Sequence, residues 1–82
     1  MPTYIVESYA TDTAVADQRA RAARVGEVAV GITYLRTTVV PGDQALLHLF
    51  EAASMDALEA AVRLAGLDCD RIVEVVEARP GR

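Results

Sequence analysis

The chain of 82 residues contains no lysine and no tryptophan, and it has only one cysteine, one histidine and one phenylalanine. A single cysteine excludes an internal disulfide, and no Cys-x-x-Cys or Cys/His pair of a zinc motif is present. No apolar run approaches the roughly 20 residues that span a bilayer, and the N-terminal stretch lacks the pattern of a secretory signal. These absences predict a cytoplasmic protein without a membrane partner.

Positive charge is also scarce. All eight basic residues are arginine, twelve residues are acidic, and the net charge is −4 with a pI of about 4.7. Nucleic-acid binding requires clustered positive charge that displaces counterions, and here the arginines are scattered among acids. The composition therefore excludes a nucleic-acid partner and suits a protein that binds cations.

What is present is a clear alternation of strand-like and helix-like segments. β-Branched and aromatic residues identify strands, whereas Ala-rich amphipathic stretches identify helices. The predicted strands are 3–9, 31–40, 45–52 and 71–78, and the predicted helices lie at 13–29 and between Ser54 and Gly66. The order βαββαβ predicts a ferredoxin-like α+β fold, an antiparallel sheet with both helices on one face. We expect one domain over residues 1–82, with a loose tail at 79–82.

Four residues are expected to set local geometry. Ser54 is a good N-cap for the second helix, and Gly66 stands where a left-handed C′ residue is expected. Gly26 predicts a bend or an early end in the first helix. Pro41 and the glycine after it suit a type II turn between the second and third strands.

Side chains alternate along a strand, so each predicted strand divides into two sets that face opposite sides of the sheet. The set assigned to the helix-covered side is Tyr4, Val6, Leu35, Val39, Leu47, Leu49, Val73 and Val75. The set assigned to the open side is Ile5, Glu7, Tyr9, Tyr34, Arg36, Thr38, Leu46, His48, Phe50, Ile72, Glu74 and Val76. The second set is unusually apolar for a solvated face, which predicts that a second copy covers it in a homodimer.

Under this assignment Glu74, Glu7 and His48 form a row across the open face, ending at Tyr34 or Arg36. Imidazole and carboxylate together suit divalent nickel, zinc, cobalt or manganese. The same row is also compatible with a small catalytic cavity in which His48 is the acid or base. Simple pairing of buried charges explains it as well, and is the leading explanation from the spacing alone.

A second acidic feature is the stretch "LDCDR", in which Asp68 and Asp70 flank Cys69. In an extended loop both carboxylates point the same way and, with the thiolate, can hold a divalent ion. Aspartate is also common in loops for conformational reasons, so this stretch equally suits a role in shaping the entry to the last strand.

Three strings resemble a family of small bacterial ferredoxin-like proteins that includes nickel-binding members. The strings are "YIVESY", "ITYLRTTVVPGDQALLHLFEA" and "AGLDCDRIVEV". The family pattern has a first strand with Glu, then W-L-R-S-Y, a C-L-Y/F-E-A-P strand, and A-G-L-P-x-x-R-V-x-E-V. Positions that match are Glu7, Arg36, Glu51, Arg71 and Glu74. Tyr34 stands in place of Trp, His48 in place of Cys, and Asp68 in place of Pro.

The resemblance implies a dimeric α+β barrel-type assembly that binds Ni²⁺ or other divalent transition metals. With it, the spacing predicts metal ligands at His48, Glu7, Glu74, Asp68 and Asp70, and a role in metal sequestration or tolerance rather than an enzyme. The alternatives are a small dimeric α+β barrel enzyme, monooxygenase- or isomerase-like, with His48 in a cavity, and a pure interaction module. The lysine-free, Ala/Arg-rich composition also looks actinobacterial.

Overall fold

The computed structural model describes residues 1–76 and has the predicted order of strands and helices. The elements are β1 (Thr3–Tyr9), α1 (Val15–Val28), β2 (Thr33–Val40), β3 (Ala45–Glu51), α2 (Met55–Ala65) and β4 (Arg71–Val75). Two short 3₁₀ turns, Asp12–Ala14 and Pro41–Asp43, precede α1 and β3. The predicted end of the last strand at 77–78 and the tail at 79–82 lie outside the described residues.

The four strands form one antiparallel sheet in the order β2-β3-β1-β4. Because β1 and β3 lie in the middle and each helix connects strands that are not adjacent, this is the ferredoxin-like arrangement. The predicted fold class is confirmed. Within residues 1–76, no helix is long and apolar enough to cross a membrane.

The ends of α2 follow the predicted signals. The Ser54 hydroxyl accepts a hydrogen bond from the Ala57 backbone N–H at 3.1 Å, which satisfies one free donor of the first turn. Gly66 ends the helix with a φ of 72°, a left-handed conformation that glycine adopts without steric cost. The Arg21 guanidinium on α1 donates to the Gly66 carbonyl at 2.9 Å, so the two helices are tied together at this point.

Two local predictions are wrong. Gly26 does not end α1, which continues to Val28 and so nearly to the predicted end at residue 29. The glycine instead permits close packing, since an added Cβ would lie 3.2 Å from the Tyr34 backbone nitrogen on β2. The β2–β3 connection is a 3₁₀ turn rather than a type II turn. The left-handed residue there is Gln44, with a φ of 54°.

The apolar core lies between the helices and one face of the sheet. Its members are Tyr4, Val6, Ala22, Val25, Ile32, Phe50, Ala52, Leu58, Ala61, Val62 and Leu67, with Tyr34 and Ile72 packed against them. Tyr4 and Phe50 come from the two central strands and are paired across the sheet. Since Ala22, Val25, Leu58 and Val62 belong to the helices, this side of the sheet is the covered face.

The register shows that the predicted facing is right for β1 and wrong for β3 and β4. Val6 pairs with His48 on one side and with Ile72 on the other, so all three share the covered face. Ser8 pairs with Leu46 in the same way. A shift of one residue in phase moves every side chain of a strand to the other face, and the prediction for β3 and β4 made this error.

The opposite side, called the open face below, is nevertheless apolar at its centre. Its apolar members are Ile5, Leu35, Leu47, Leu49, Val73 and Val75, and its charged members are Glu7, Arg36, Glu51 and Arg71. None of these six apolar side chains is buried within one chain, and Leu35 is 41% exposed. The open face is therefore an uncovered apolar surface, as predicted, but it is formed largely by other residues than those predicted.

Candidate functional site

His48 is fully buried on the covered face and belongs to a chain of neutral polar groups. Its Nδ1 lies 2.8 Å from the Thr37 hydroxyl on β2, and its Nε2 lies 3.2 Å from the Ser8 hydroxyl on β1. The Thr37 hydroxyl is in turn 2.7 Å from the Tyr34 phenol. In a neutral imidazole one nitrogen donates and the other accepts, and hydroxyls serve either role, so the ring is satisfied on both sides.

The surroundings of His48 keep it neutral. Burial lowers its pKa from 6.5 to about 4, because the charged form loses its hydration and no carboxylate compensates. Both ring nitrogens are engaged by hydroxyls, which are weak metal ligands compared with carboxylate, thiolate or imidazole. The geometry makes His48 a hydrogen-bonded core group.

The predicted row of Glu74, Glu7 and His48 is not formed, because the three side chains lie in different places. Glu7 is on the open face, where the Arg71 guanidinium lies 3.2 Å from its Oε1. The Tyr9 hydroxyl donates to the same oxygen at 3.4 Å, and the charge of Glu7 raises the pKa of that phenol. Glu74 is exposed on the edge strand β4, opposite Tyr4 and on the side of the helices.

Asp68, Cys69 and Asp70 form the loop between α2 and β4 and line a groove of about 510 Å³. The loop is anchored to the sheet, because the Asp70 backbone N–H donates to the Glu7 carbonyl at 2.8 Å. Glu59 on α2 lines the same groove. Burial raises the pKa of the Cys69 thiol, and the negative charges of Asp70 and Glu59 raise it further.

The predicted ligands are therefore divided among four locations in one chain. Among residues 1–76, no group of three or more His, Cys, Asp or Glu side chains is arranged to hold a metal ion. Asp68 and Asp70 are the only two of the five predicted ligands that share a groove, and within it Cys69 and Glu59 are their neighbours.

The sequence interpretation missed three residues that shape these sites. Ser8 and Thr37 hold His48. Glu59 adds negative charge at the groove. Of these residues, Ser8 could most easily have been found from the sequence, since it lies two residues after Val6 and therefore on the same face of β1.

Comparisons with known proteins establish the fold. No protein-family model matches the chain, and no curated protein matches it. The chain is similar to SCO4226 of Streptomyces coelicolor A3(2), a protein of known crystal structure. The TM-score is 0.72 with 16% sequence identity, over 94% of this chain and 99% of that chain. At this identity the similarity supports the α+β architecture alone.

Proposed function

We propose that this protein is a homodimer that binds divalent transition metals, Ni²⁺ first among them, and serves in metal sequestration or tolerance in the cytoplasm. The observation that carries the proposal is the groove beside α2, which has a net negative charge because it is lined by three carboxylates and two guanidiniums, those of Glu59, Asp68, Asp70, Arg63 and Arg71. Burial raises the pKa of the Cys69 thiol in this groove, and the charges of Asp70 and Glu59 raise it further. The same electrostatic field attracts a dication, and a bound metal would displace the thiol proton.

The donor set of the groove fits a metal that accepts oxygen and sulfur ligands. Asp68 and Asp70 supply carboxylate oxygens, and Cys69 supplies a thiolate once it is deprotonated. All three side chains are exposed, so changes of rotamer bring them together without rearranging the core. Because the ligands are not preassembled within the described residues, we expect modest affinity, with water completing the coordination.

The dimer is supported by the open face. Four strands about 4.8 Å apart, each about 20 Å long, give a face of roughly 400 Å² in projection. The six apolar side chains at its centre form the patch that a second copy would cover. A domain of 82 residues is marginally stable alone, and its few aromatic residues limit the core. Charges of both signs on this face, Glu7 and Glu51 against Arg36 and Arg71, suit the self-complementarity of a two-fold interface.

Isothermal titration with NiCl₂ in two buffers of different ionisation enthalpy tests the metal proposal. For the wild type we expect binding with release of about one proton, because the thiol is protonated before metal arrives. Cys69→Ser should abolish the proton release. Asp70→Asn should weaken binding at least tenfold, since one charge-assisted ligand is lost.

Two variants serve as controls. Asp43→Asn removes one exposed carboxylate in the β2–β3 turn, distant in sequence from the groove, and should leave Ni²⁺ affinity unchanged. His48→Gln keeps the site but alters the core, and it should also bind normally. A loss of binding in His48→Gln with retained binding in Asp70→Asn would reject the groove and restore the histidine as a ligand. No heat with Ni²⁺, Zn²⁺ or Co²⁺ would reject metal binding altogether.

The enzyme with His48 in a cavity and the pure interaction module remain alternatives. Neither His48 nor Tyr34 lines the groove beside α2, and no specific observation favours the enzyme. The apolar open face is compatible with an interaction module, and the titration separates that case because a module without metal gives no heat.

A further inference from the structure

The four charged side chains of the open face form two groups on either side of its apolar centre. Glu7 on β1 and Arg71 on β4 are opposite each other and are paired, with the Arg71 Nε 3.2 Å from the Glu7 Oε1. Arg36 on β2 lies opposite Leu49 on β3, and Glu51 is two residues further along β3. Arg36 and Glu51 are therefore diagonal neighbours on adjacent strands, about 8 Å apart.

Arg36 lies on the open face because β2 is irregular. The pairing of β2 with β3 shifts between Tyr34 and Arg36, so that Leu35 is an extra residue. Without the shift, Arg36 would share the side of Tyr34, whose ring packs in the core 5.5 Å from that of Phe50. Bulges of this kind re-aim side chains, and this one places Arg36 on the same face as Glu51.

Arg36 and Glu51 form no ion pair with each other within one chain. Arg36 is exposed and Glu51 is half-buried, so both charges are hydrated in a single copy. A second sheet laid over this face removes that hydration, and buried charges need opposite charges in compensation. In a two-fold dimer each contact occurs twice, so a contact of Arg36 with Glu51 of the partner subunit is accompanied by the reverse contact. Two contacts then compensate all four charges.

The geometry of the sheet permits this pairing. When two sheets pack face to face, their two-fold axis lies between them and runs parallel to both. An axis that crosses the line from Arg36 to Glu51 at its midpoint and at a right angle places each residue opposite the other in the second copy. With strands about 4.8 Å apart and a rise of about 6.7 Å per two residues, the strands of the two sheets then cross at about 70°, nearer to orthogonal than to aligned packing. The same axis passes between Leu49 and Ile5, the paired apolar residues at the centre of the face.

We propose that the open face docks a second copy of this chain through reciprocal ion pairs, Arg36 to Glu51 of the partner subunit and Glu51 to Arg36 of the partner subunit. The inference rests on the proposed dimer and specifies its orientation. Ile5 and Leu49 supply the apolar contact on the axis, which tolerates many orientations because apolar contact is non-directional. The ion pairs select one orientation, since an arginine–carboxylate contact is directional and like charges that face each other are unfavourable.

A charge-swap experiment tests the pairs. Arg36→Glu leaves only acidic side chains at the two positions, and Glu51→Arg leaves only basic ones, so in each homodimer like charges face each other twice. We expect the dimer dissociation constant of either variant to rise at least tenfold, measured by sedimentation equilibrium. In an equimolar mixture both contacts again join opposite charges, so heterodimers should form with nearly the wild-type dissociation constant. Native mass spectrometry with one variant isotope-labelled measures the fraction of heterodimer.

The matched control is the pair of variants Arg24→Glu and Glu27→Arg, which change the net charge by the same amounts on the exposed surface of α1. Each should dimerise as wild type does, and their mixture should contain heterodimers only in the proportion expected by chance. Circular dichroism checks that every variant is folded. The double variant Arg36→Glu/Glu51→Arg exchanges the two charges within one chain and should also dimerise as wild type does.

The outcomes separate this inference from the proposed dimer. A wild-type dimer whose Arg36→Glu and Glu51→Arg variants show no preference for each other overturns the reciprocal pairs and leaves the dimer intact. Recovery in the double variant without recovery in the mixture shows that Arg36 and Glu51 pair within one chain, and it also overturns the inference. A monomeric wild type overturns the dimer and the pairs together, while the Ni²⁺ titration tests metal binding independently.

Discussion

The two faces of the sheet both depart from the usual distribution of polarity at their centres. On the covered face Ser8 and His48 are fully buried, and Thr37 is partly buried beside them. On the open face Ile5 and Leu49 occupy the centre and are only partly buried. An antiparallel sheet normally has its polar side chains on the solvated face. The difference shows that burial here depends on hydrogen-bond partners for the polar groups, and that the apolar open face is left for a second surface.

Placing a charge on the open face should have the largest effect, which is a weaker dimer. Leu49→Glu places a charge at the centre of the proposed interface, next to Ile5 on β1. We expect the dimer dissociation constant to rise tenfold to a hundredfold, because burying a carboxylate in place of an apolar side chain between two sheets costs free energy even with Arg36 as its cross-strand neighbour. Sedimentation equilibrium over a range of protein concentrations measures the change.

Leu64→Glu is the matched control for this experiment. Leu64 is 73% exposed on α2, away from the sheet, and its replacement should leave the sedimentation of the dimer unchanged. Circular dichroism should show both variants folded. If Leu49→Glu remains a dimer while Leu64→Glu becomes a monomer, the helices rather than the sheets form the contact.

The pH dependence of the free energy of unfolding tests the burial of His48 on the covered face. The pKa of His48 is about 4 in the folded chain against 6.5 when unfolded, so the unfolded state binds more protons between these values. The contribution of His48 to stability is complete above pH 6.5 and is lost as the pH falls towards 4. At one pK unit per 1.4 kcal/mol, the loss amounts to at most about 3 kcal/mol.

Urea unfolding of the wild type and of His48→Gln at pH 7.5, 6 and 5 measures this contribution. Carboxylates titrate in part of the same range, and the difference between the two proteins removes their effect. Wild type should be the more stable at pH 7.5, and its advantage should shrink by pH 5. A difference that stays constant with pH would show that His48 is solvated and that the hydroxyl chain does not hold it.

Much of the fold follows from the sequence, because its signals are local. Ser54 and Gly66 mark the ends of α2 through their own hydrogen-bonding and φ preferences, and the strand order follows from the element order. The sequence did not predict which side chains of β3 lie on the covered face. Both of its alternating sets are apolar before the terminal Glu51, so the one polar residue within the strand, His48, was placed towards solvent although Ser8 and Thr37 satisfy it inside.

The candidate site was less predictable for the same reason. Asp68 and Asp70 are neighbours in sequence and share a groove, as expected of residues in one loop. Glu7, Glu74 and His48 depended on the cross-strand register, and an error of one residue separates them. The bulge after Tyr34 has no sequence signal of its own, since no glycine marks it, and it decides which face Arg36 occupies.

Replacing Gln18 should change the free energy of unfolding least, and it tests whether this buried side chain is unsatisfied. It is 6% exposed on α1, and its Oε1 has no hydrogen-bond partner among the side chains and backbone groups that the structure describes. Replacing a buried unsatisfied group by an apolar one of similar shape removes a desolvation cost, so Gln18→Met should raise the free energy of unfolding by about 1 kcal/mol. Ser8→Ala should lower it by about 1 kcal/mol or more, because it leaves Nε2 of His48 unpaired. Urea unfolding at pH 7.5 and one protein concentration compares the two, and opposite signs are the expected result. If both variants lose stability, Gln18 is satisfied in solution, and the covered face then contains a longer polar network that extends from the sheet to α1.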